Sequence, residues 1–264
     1  VIGLYYNKLM SKLETTEEER NKWRERISKE VKLAVKVQEN FLPKRNLKNY
    51  PVHGINLSAR EVSGDFFSFY PHNDNIYFII ADVAGKGIHA GMVMAKASTL
   101  FEVLSQSKVD PDEMVLHMNN DLNNTKTGGM FVTSIIGEYN LITDEIRWVN
   151  AGHQPAIVRD DNGKYEQFQS SAPPLGVIKQ KDKSIYNINK MKLNGSRFYA
   201  FTDGLSESLN DKGQEIGIDG SIDIIETNYN KDTTQQLNDI TQMVVNTSKN
   251  QKLTDDLTVI SIGK

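Results

Sequence analysis

The sequence contains no cysteine, and this absence excludes disulfide bonds, thiolate zinc sites and cysteine nucleophiles. It also lacks an apolar run of about 18 residues, the length that would predict a transmembrane helix. The net charge is only -3 and no long basic block occurs, which argues against nucleic acid as a partner. Charged residues make up 25% and apolar residues 38% of the chain, as in ordinary globular proteins.

The length of 264 residues allows one large domain or two small ones, with a substantial core. Because the chain begins with Val1 and not with Met, we interpret it as a fragment, and residues 1–6 as the tail of an upstream helix or membrane segment. The absence of cysteine fits a reducing compartment. We therefore expect a cytoplasmic protein, or the cytoplasmic part of a membrane-anchored sensor.

Residues 1–42 are highly charged and have the composition of a helix. Thr15, followed closely by three acidic residues, predicts a helix start. Apolar positions then recur every three or four residues and form a narrow stripe at Trp23, Ile27, Val31, Ala34, Gln38 and Phe41. The stripe can pair with a second chain as a short coiled coil or pack on its own domain, and both alternatives stay open. Pro43 ends this helix. We therefore divide the chain into a helical linker or dimerisation segment, residues 1–45, and a folded domain, residues 46–264.

Short strands joined by hairpin signals begin near residue 50. Apolar and alternating patterns predict strands at 54–59, 66–70, 75–82, 131–139, 145–150, 155–159, 165–168, 198–202 and 257–262. Helical patterns cover residues 88–105, 110–123 and 232–249. Successive hairpins imply antiparallel pairing, so we expect an α+β fold of two antiparallel sheets with helices outside.

Acidic residues stand at the ends of several predicted strands, at Asp65, Asp82, Asp203, Asp255 and Asp256. Taken singly, each is better explained as a turn residue. Carboxylates crowded into one place, however, need cations to neutralise them. Ligation by oxygen alone favours Mg²⁺ or Mn²⁺ over zinc. Two such ions about 3.5–4 Å apart would activate a bridging water and hold a phosphoryl oxygen for in-line phosphate hydrolysis.

Six segments occur in the order found in one enzyme family: 59–67, 81–87, 150–155, 174–177, 202–207 and 255–258. The second of them reads Ala-Asp-Val-Ala-Gly-Lys-Gly, and the fifth reads Thr-Asp-Gly-Leu-Ser-Glu. With these segments the chain resembles the metal-dependent Ser/Thr protein phosphatases of the PPM type. It is most similar to their bacterial SpoIIE/RsbU branch, over roughly residues 38–262.

The resemblance implies a four-layer α-β-β-α sandwich with a site for two Mn²⁺ or Mg²⁺ ions between the sheets. The implied ligands are the side chains of Asp65, Asp82, Asp203 and Asp255 and the carbonyl of Val83. Asp82 would bridge both ions. Asp255 is preferred to Asp256 because the family's usual Asp-Asn-x-Thr pattern aligns its Asp there. Neither Gly85 nor Gly87 belongs to a P-loop, which would end in Lys-Ser or Lys-Thr, so nucleotide binding is not expected.

Four further residues bear on activity. Arg60 stands where some relatives place a phosphate-binding arginine, which suits bidentate phosphate recognition, and a solvated surface arginine is the alternative. The branch usually reads Gly-Gly-Asp-Phe-Tyr-Asp, whereas here Ser63 replaces the first Gly and Ser68 the last Asp. His153 is either a general acid or, as we prefer, a structural residue of a turn. Because the implied ligands are all present, we expect activity, which these departures can reduce.

By this resemblance the protein removes phosphate from Ser or Thr of a bacterial signalling regulator of the anti-anti-sigma (STAS) type. Metal-activated water would attack phosphorus directly, without a covalent enzyme intermediate. The N-terminal helix would connect the catalytic domain to an upstream sensor or activator, or to a second copy in a homodimer. The alternative is a weakly active or inactive module of the same fold that only binds its partner, and the changes at Ser63 and Ser68 support it.

Overall fold

The computed structural model describes residues 2–38, 47, 49–59, 62–125, 127–247 and 253–263. The helices of this part are α1 (Ile2–Gln38), α2 (Ile88–Gln106), α3 (Pro111–Asn124), α4 (Asp203–Ser206), α5 (Gly217–Thr227) and α6 (Thr233–Thr247). Its strands are β1 (Val52–Leu57), β2 (Phe66–His72), β3 (Asn75–Val83), β4 (Val132–Asn140), β5 (Glu145–Ala151), β6 (Ala156–Arg159), β7 (Tyr165–Phe168), β8 (Asn189–Lys192), β9 (Arg197–Phe201) and β10 (Leu257–Ile262).

The strands form two five-stranded antiparallel sheets. Sheet I has the order β1-β10-β9-β6-β7, and sheet II has the order β2-β3-β4-β5-β8. Strand β3 lies inside sheet II between β2 and β4, and its apolar run is buried along almost its whole length. Both faces are buried because one side of sheet II packs on sheet I and the other is covered by helices.

Three apolar layers hold this sandwich together. Between the sheets, the ring of Phe198 packs on Phe78 and on Trp148, with centroids 5.6 and 5.2 Å apart. The outer face of sheet II packs against α2 and α3, and the outer face of sheet I packs against α5 and α6. The expected α-β-β-α sandwich of two antiparallel sheets is therefore confirmed.

The predicted helix start at Thr15 is wrong. Helix α1 runs without interruption from Ile2, and the hydroxyl of Thr16 donates to the carbonyl of Lys12 at 2.8 Å, as in a helix interior. The predicted stop at Pro43 and the stripe residue Phe41 lie outside the described residues. Within the described part of the chain, no helix combines the length and the hydropathy needed to cross a bilayer.

Other predicted elements agree with the structure to within about two residues, which is the usual scatter of element ends. The sequence analysis missed β8, α4 and α5. Strand β8 reads Asn-Lys-Met-Lys, and this composition gives no apolar pattern. Helix α5 follows Ile216, which makes no side-chain cap, and begins at Gly217, so the usual start signal is missing.

Candidate metal centre

Asp65 and Asp82 lie at the same end of sheet II. Asp65 directly precedes β2, and Phe66 of that strand pairs with Ala81 of β3, next to Asp82. Asp82 continues the face of β3 that points at sheet I, because side chains alternate along a strand. Burial and the charge of Asp203 raise the pKa of Asp82 to about 6, and hydrogen bonding with Asp65 works in the opposite direction. The two carboxylates are thus neighbours in a layer that excludes most water.

Sheet I contributes Asp203 and Asp255 to the same region. Strand β9 ends at Phe201, which pairs with Val259 of β10, so the residues after β9 lie beside those before β10. Asp203 opens the short helix α4, and Asp255 stands two residues before β10. Burial and the charge of Asp255 raise the pKa of Asp203. The charge of Asp203 also raises the pKa of Asp82, so the carboxylates contributed by the two sheets are electrostatically coupled.

Thr202, which directly follows β9, and Thr258 of β10 orient Asp65. The hydroxyl of Thr202 donates to Asp65 Oδ2 at 2.6 Å, and the hydroxyl of Thr258 donates to the same oxygen at 3.0 Å. Asn56 in turn donates its Nδ2 to the hydroxyl oxygen of Thr258 at 2.7 Å. Burial and the charge of Asp82 raise the pKa of Asp65, and the two hydroxyl groups lower it. The sequence analysis did not single out these threonines, although each stands in a motif segment that it quoted.

Asp256 has a different task from Asp255. Its Oδ2 accepts from the hydroxyl of Ser63 at 2.8 Å and from the backbone N–H of Gly64 at 2.9 Å, while Oδ1 accepts from the N–H of Ala59 at 2.7 Å. Both oxygens are therefore used to hold the turn that precedes Asp65. This arrangement favours Asp255 over Asp256 as a ligand.

The turn before Asp65 also contacts the end of α1 and the carbonyl of Val83. The buried side chain of Gln38 donates to the carbonyl of Ser63 at 2.6 Å, and its Oε1 accepts from the N–H of Ser63 at 3.1 Å. A Cβ atom on Gly64 would lie 3.1 Å from the carbonyl oxygen of Val83. Glycine at position 64 thus allows the turn to approach this carbonyl, and the helix end is fixed to the same turn.

His153 is a buried, neutral residue beside the acidic group. Its Nδ1 lies 2.9 Å from the hydroxyl of Thr133, the residue that pairs with Asp82 across β3 and β4. Burial lowers the pKa of His153 to about 4. Being uncharged at neutral pH and buried, His153 is poorly suited to protonate a leaving group, which favours the structural interpretation. Arg60 lies outside the described residues.

The chemistry of the region fits a divalent metal ion that prefers oxygen. Among the described residues, no group of three or more His, Cys, Asp or Glu side chains has an arrangement ready to hold a metal ion. The pKa values of Asp65, Asp82 and Asp203 are nevertheless all raised, in each case partly by the charge of a neighbouring carboxylate. A cation would relieve this repulsion, and carboxylate and carbonyl oxygens are the ligands that Mg²⁺ and Mn²⁺ prefer.

The sequence profile of the family described as Stage II sporulation protein E (SpoIIE) matches residues 72–263. The phosphoserine phosphatase RsbU of Bacillus subtilis (strain 168) is 25% identical over 191 residues, which cover 71% of this chain and 56% of RsbU. The phosphoserine phosphatase RsbP of the same organism is 26% identical over 185 residues, covering 68% of this chain and 45% of RsbP. The chain thus spans about half the length of these curated relatives.

Solved structures show the same fold. The SiaA-PP2C domain of Pseudomonas aeruginosa superposes with a TM-score of 0.80 at 16% identity, covering 91% of this chain and 98% of that domain. RsbX in complex with magnesium superposes with a TM-score of 0.58 at 20% identity, covering 80% of this chain and 92% of RsbX. At these identities the likeness concerns the fold, which is the PP2C fold.

Proposed function

Because the chain belongs to the SpoIIE family of PP2C-type phosphatases, we propose that it is a Mg²⁺- or Mn²⁺-dependent phosphoprotein phosphatase acting on phospho-Ser or phospho-Thr. The observation that carries this proposal is the meeting of carboxylates from both sheets. Asp65 and Asp82 come from sheet II, Asp203 and Asp255 come from sheet I, and the pKa of Asp82 rises to about 6 through burial and the charge of Asp203. Repulsion between these carboxylates would be offset by a cation bound among them.

In this proposal the side chains of Asp65, Asp82, Asp203 and Asp255 and the carbonyl of Val83 would hold two ions. When bound, the ions would activate water and neutralise phosphoryl oxygens. The chain's own contribution is orientation. The hydroxyl groups of Thr202 and Thr258 fix one oxygen of Asp65, and Asp256 fixes the turn before it. We assign phosphate binding to Arg60.

We propose a phosphorylated bacterial regulator of the anti-anti-sigma (STAS) type as the substrate and the cytoplasm as the place of reaction. Support comes from the relatives RsbU and RsbP, whose names describe phosphoserine phosphatases. We further propose that residues 1–45 form a helical linker or dimerisation segment, which Gln38 attaches to the phosphatase domain, residues 46–264. This segment would receive the signal of an upstream sensor or activator, or would join two copies.

Exposed apolar side chains along α1 support the second of these roles. They are Met10, Leu13, Trp23, Ile27, Leu33 and Val37. A helix of 37 residues that presents such side chains to solvent is suited to pairing with another helix. Sedimentation of the chain with and without residues 1–42 tests this role. We expect the chain with residues 1–42 to sediment as a dimer and the chain without them to sediment as a monomer. If both chains sediment as monomers, the role of this segment in joining two copies is contradicted.

Hydrolysis of p-nitrophenyl phosphate with and without Mn²⁺ tests the proposed function. We expect turnover that needs the metal and falls by more than about a hundredfold in Asp82→Asn, since loss of even an outer partner of a metal ligand costs about 10–100-fold. Asp74→Asn is the matched control, because Asp74 lies exposed in the turn between β2 and β3. Circular dichroism checks that both variants are folded. Absence of turnover on this ester and on a phosphorylated STAS protein would refute the proposal.

The second candidate is a weakly active or inactive module of the same fold that binds its partner. It is favoured by Ser63 and Ser68, which replace the family's usual Gly and Asp. Partner binding that persists in Asp82→Asn, together with absent turnover in the unmodified chain, would select this candidate.

A further inference from the structure

Lys86 lies on the loop that joins β3 to α2, and it reaches from sheet II to a carboxylate on the side of sheet I. Its Nζ is 2.5 Å from Oδ2 of Asp255, with 44% of the lysine side chain and 29% of the aspartate side chain exposed. The loop is shaped by its backbone. Gly85 and Gly87 have φ angles of 115° and 80°, in the region that favours glycine, and flank the lysine on both sides.

Lys86 acts on more than one carboxylate. Its charge lowers the pKa of Asp203 and of Glu207, while burial raises both. Within the described part of the metal centre, no other lysine or arginine is paired with one of the aspartates. The ammonium group therefore partly offsets the repulsion in the half of the site that sheet I supplies.

We propose that Lys86 is a built-in counter-ion that competes with a divalent ion for Asp255 and thereby sets the metal affinity of the Asp203–Asp255 half of the site. This inference rests on the proposed function, since it takes Asp255 to be a ligand. A divalent ion held by Asp255 would have to compete with an ammonium nitrogen that lies 2.5 Å from Oδ2 of this carboxylate. The cost of breaking this ion pair is subtracted from the binding free energy of the metal.

Binding of Mn²⁺ to the whole chain, followed by isothermal titration calorimetry, tests the inference. We expect Lys86→Met to tighten Mn²⁺ binding at the Asp203–Asp255 half of the site by about fivefold, the scale of an ion pair between partly exposed groups. Lys86→Arg keeps the charge and should bind Mn²⁺ within about twofold of the unmodified chain. The matched control is Lys231→Met, because Nζ of Lys231 also lies 2.5 Å from an aspartate oxygen, in Asp239, and 47% of its side chain is exposed. This control should leave the Mn²⁺ affinity unchanged.

Thermal unfolding in EDTA supplies a second measurement that does not depend on activity. Without the positive charge of residue 86, the neighbouring carboxylates repel one another more strongly. Lys86→Met should therefore unfold at a lower temperature than Lys86→Arg in EDTA. Saturating Mn²⁺ should remove this difference.

Equal or weaker Mn²⁺ binding by Lys86→Met, in a chain whose unmodified form binds Mn²⁺, would overturn the role of Lys86 and leave the proposed function standing. If the unmodified chain takes up no Mn²⁺, the proposed metal site and the role of Lys86 both fail. The calorimetric titration therefore separates the two failures.

Discussion

Replacement of Thr258 by Val should weaken metal binding more than it weakens the fold. Valine keeps the β-branched shape that suits strand β10, so the change removes little except the hydroxyl group. That group donates to Oδ2 of Asp65 at 3.0 Å and accepts from Nδ2 of Asn56 at 2.7 Å. Nδ2 of Asn56 keeps a second partner, the carbonyl of Asp65 at 3.3 Å, so it is not left without a hydrogen bond.

The expected magnitude follows from the charge on Asp65. A hydrogen bond to a charged group contributes about 1.5–3 kcal/mol, whereas a neutral one contributes about 1 kcal/mol. Both hydroxyl donors favour the charged form of Asp65, which is the form that binds metal. We therefore expect Thr258→Val to weaken Mn²⁺ binding by about tenfold to a hundredfold, as for other groups that orient a metal ligand.

Thr241→Val is the matched control for this prediction. Thr241 is buried in α6, and its hydroxyl donates to the carbonyl of Asn238 at 2.7 Å, away from the acidic group. Its replacement should lower the free energy of unfolding by about 1 kcal/mol and leave Mn²⁺ binding unchanged. Urea denaturation in EDTA and calorimetric titration with Mn²⁺ measure the two quantities. If Thr258→Val changes only the unfolding free energy, as the control does, Thr258 does not orient a ligand.

Three further predictions concern the site and the core. Ser63→Ala should lower the free energy of unfolding by about 1–3 kcal/mol, because the buried carboxylate of Asp256 then loses the hydroxyl group that donates to it. Urea denaturation measures this loss, and an unchanged free energy of unfolding would contradict the hydrogen bond. Because the folded state raises the pKa of Asp82 to about 6, the contribution of Asp82 to stability in EDTA should fall by at most about 3 kcal/mol as pH rises from about 4 to 6. Denaturation curves of Asp82→Asn should lack this contribution and therefore show less loss of stability over the same pH range. Phe198→Ala should cost about 3–5 kcal/mol in urea denaturation, because the ring packs between both sheets, and a loss below about 1 kcal/mol would refute that packing.

Local patterns were sufficient to predict most of the sandwich. The apolar run that ends at Asp82 predicted strand β3, and the hairpin signals predicted the antiparallel pairing of its neighbours. The start of α1 was wrong because the capping pattern at Thr15 also occurs inside helices, where a threonine hydroxyl bonds back to the preceding turn. Strand β8 was missed because its polar composition carries no pattern and its strand state depends on pairing with β5.

The candidate site was predicted only in part, for a similar reason. Asp65 and Asp82 are close in the sequence, and glycine beside them marks a turn, so their neighbourhood could be inferred. The contact of Thr202 and Thr258 with Asp65 depends on β9 and β10 lying opposite the start of β2, which no local pattern specifies. The pairing of Lys86 with Asp255 was missed for the same reason, and the sequence analysis gave Lys86 no function. The role of Arg60 stays a prediction.

The contact between Ser63 and Asp256 has a consequence for which residue can stand at position 256. Three donors converge on the carboxylate of Asp256, from Ala59, Ser63 and Gly64, and an amide would turn its own N–H₂ group towards one of them. Asp256 thus serves this chain as an acceptor on both of its oxygens, since Oδ1 takes the N–H of Ala59 and Oδ2 takes the N–H of Gly64 and the hydroxyl of Ser63. An asparagine of the same size cannot take over this role, because its N–H₂ group would leave at least one of these donors without an acceptor.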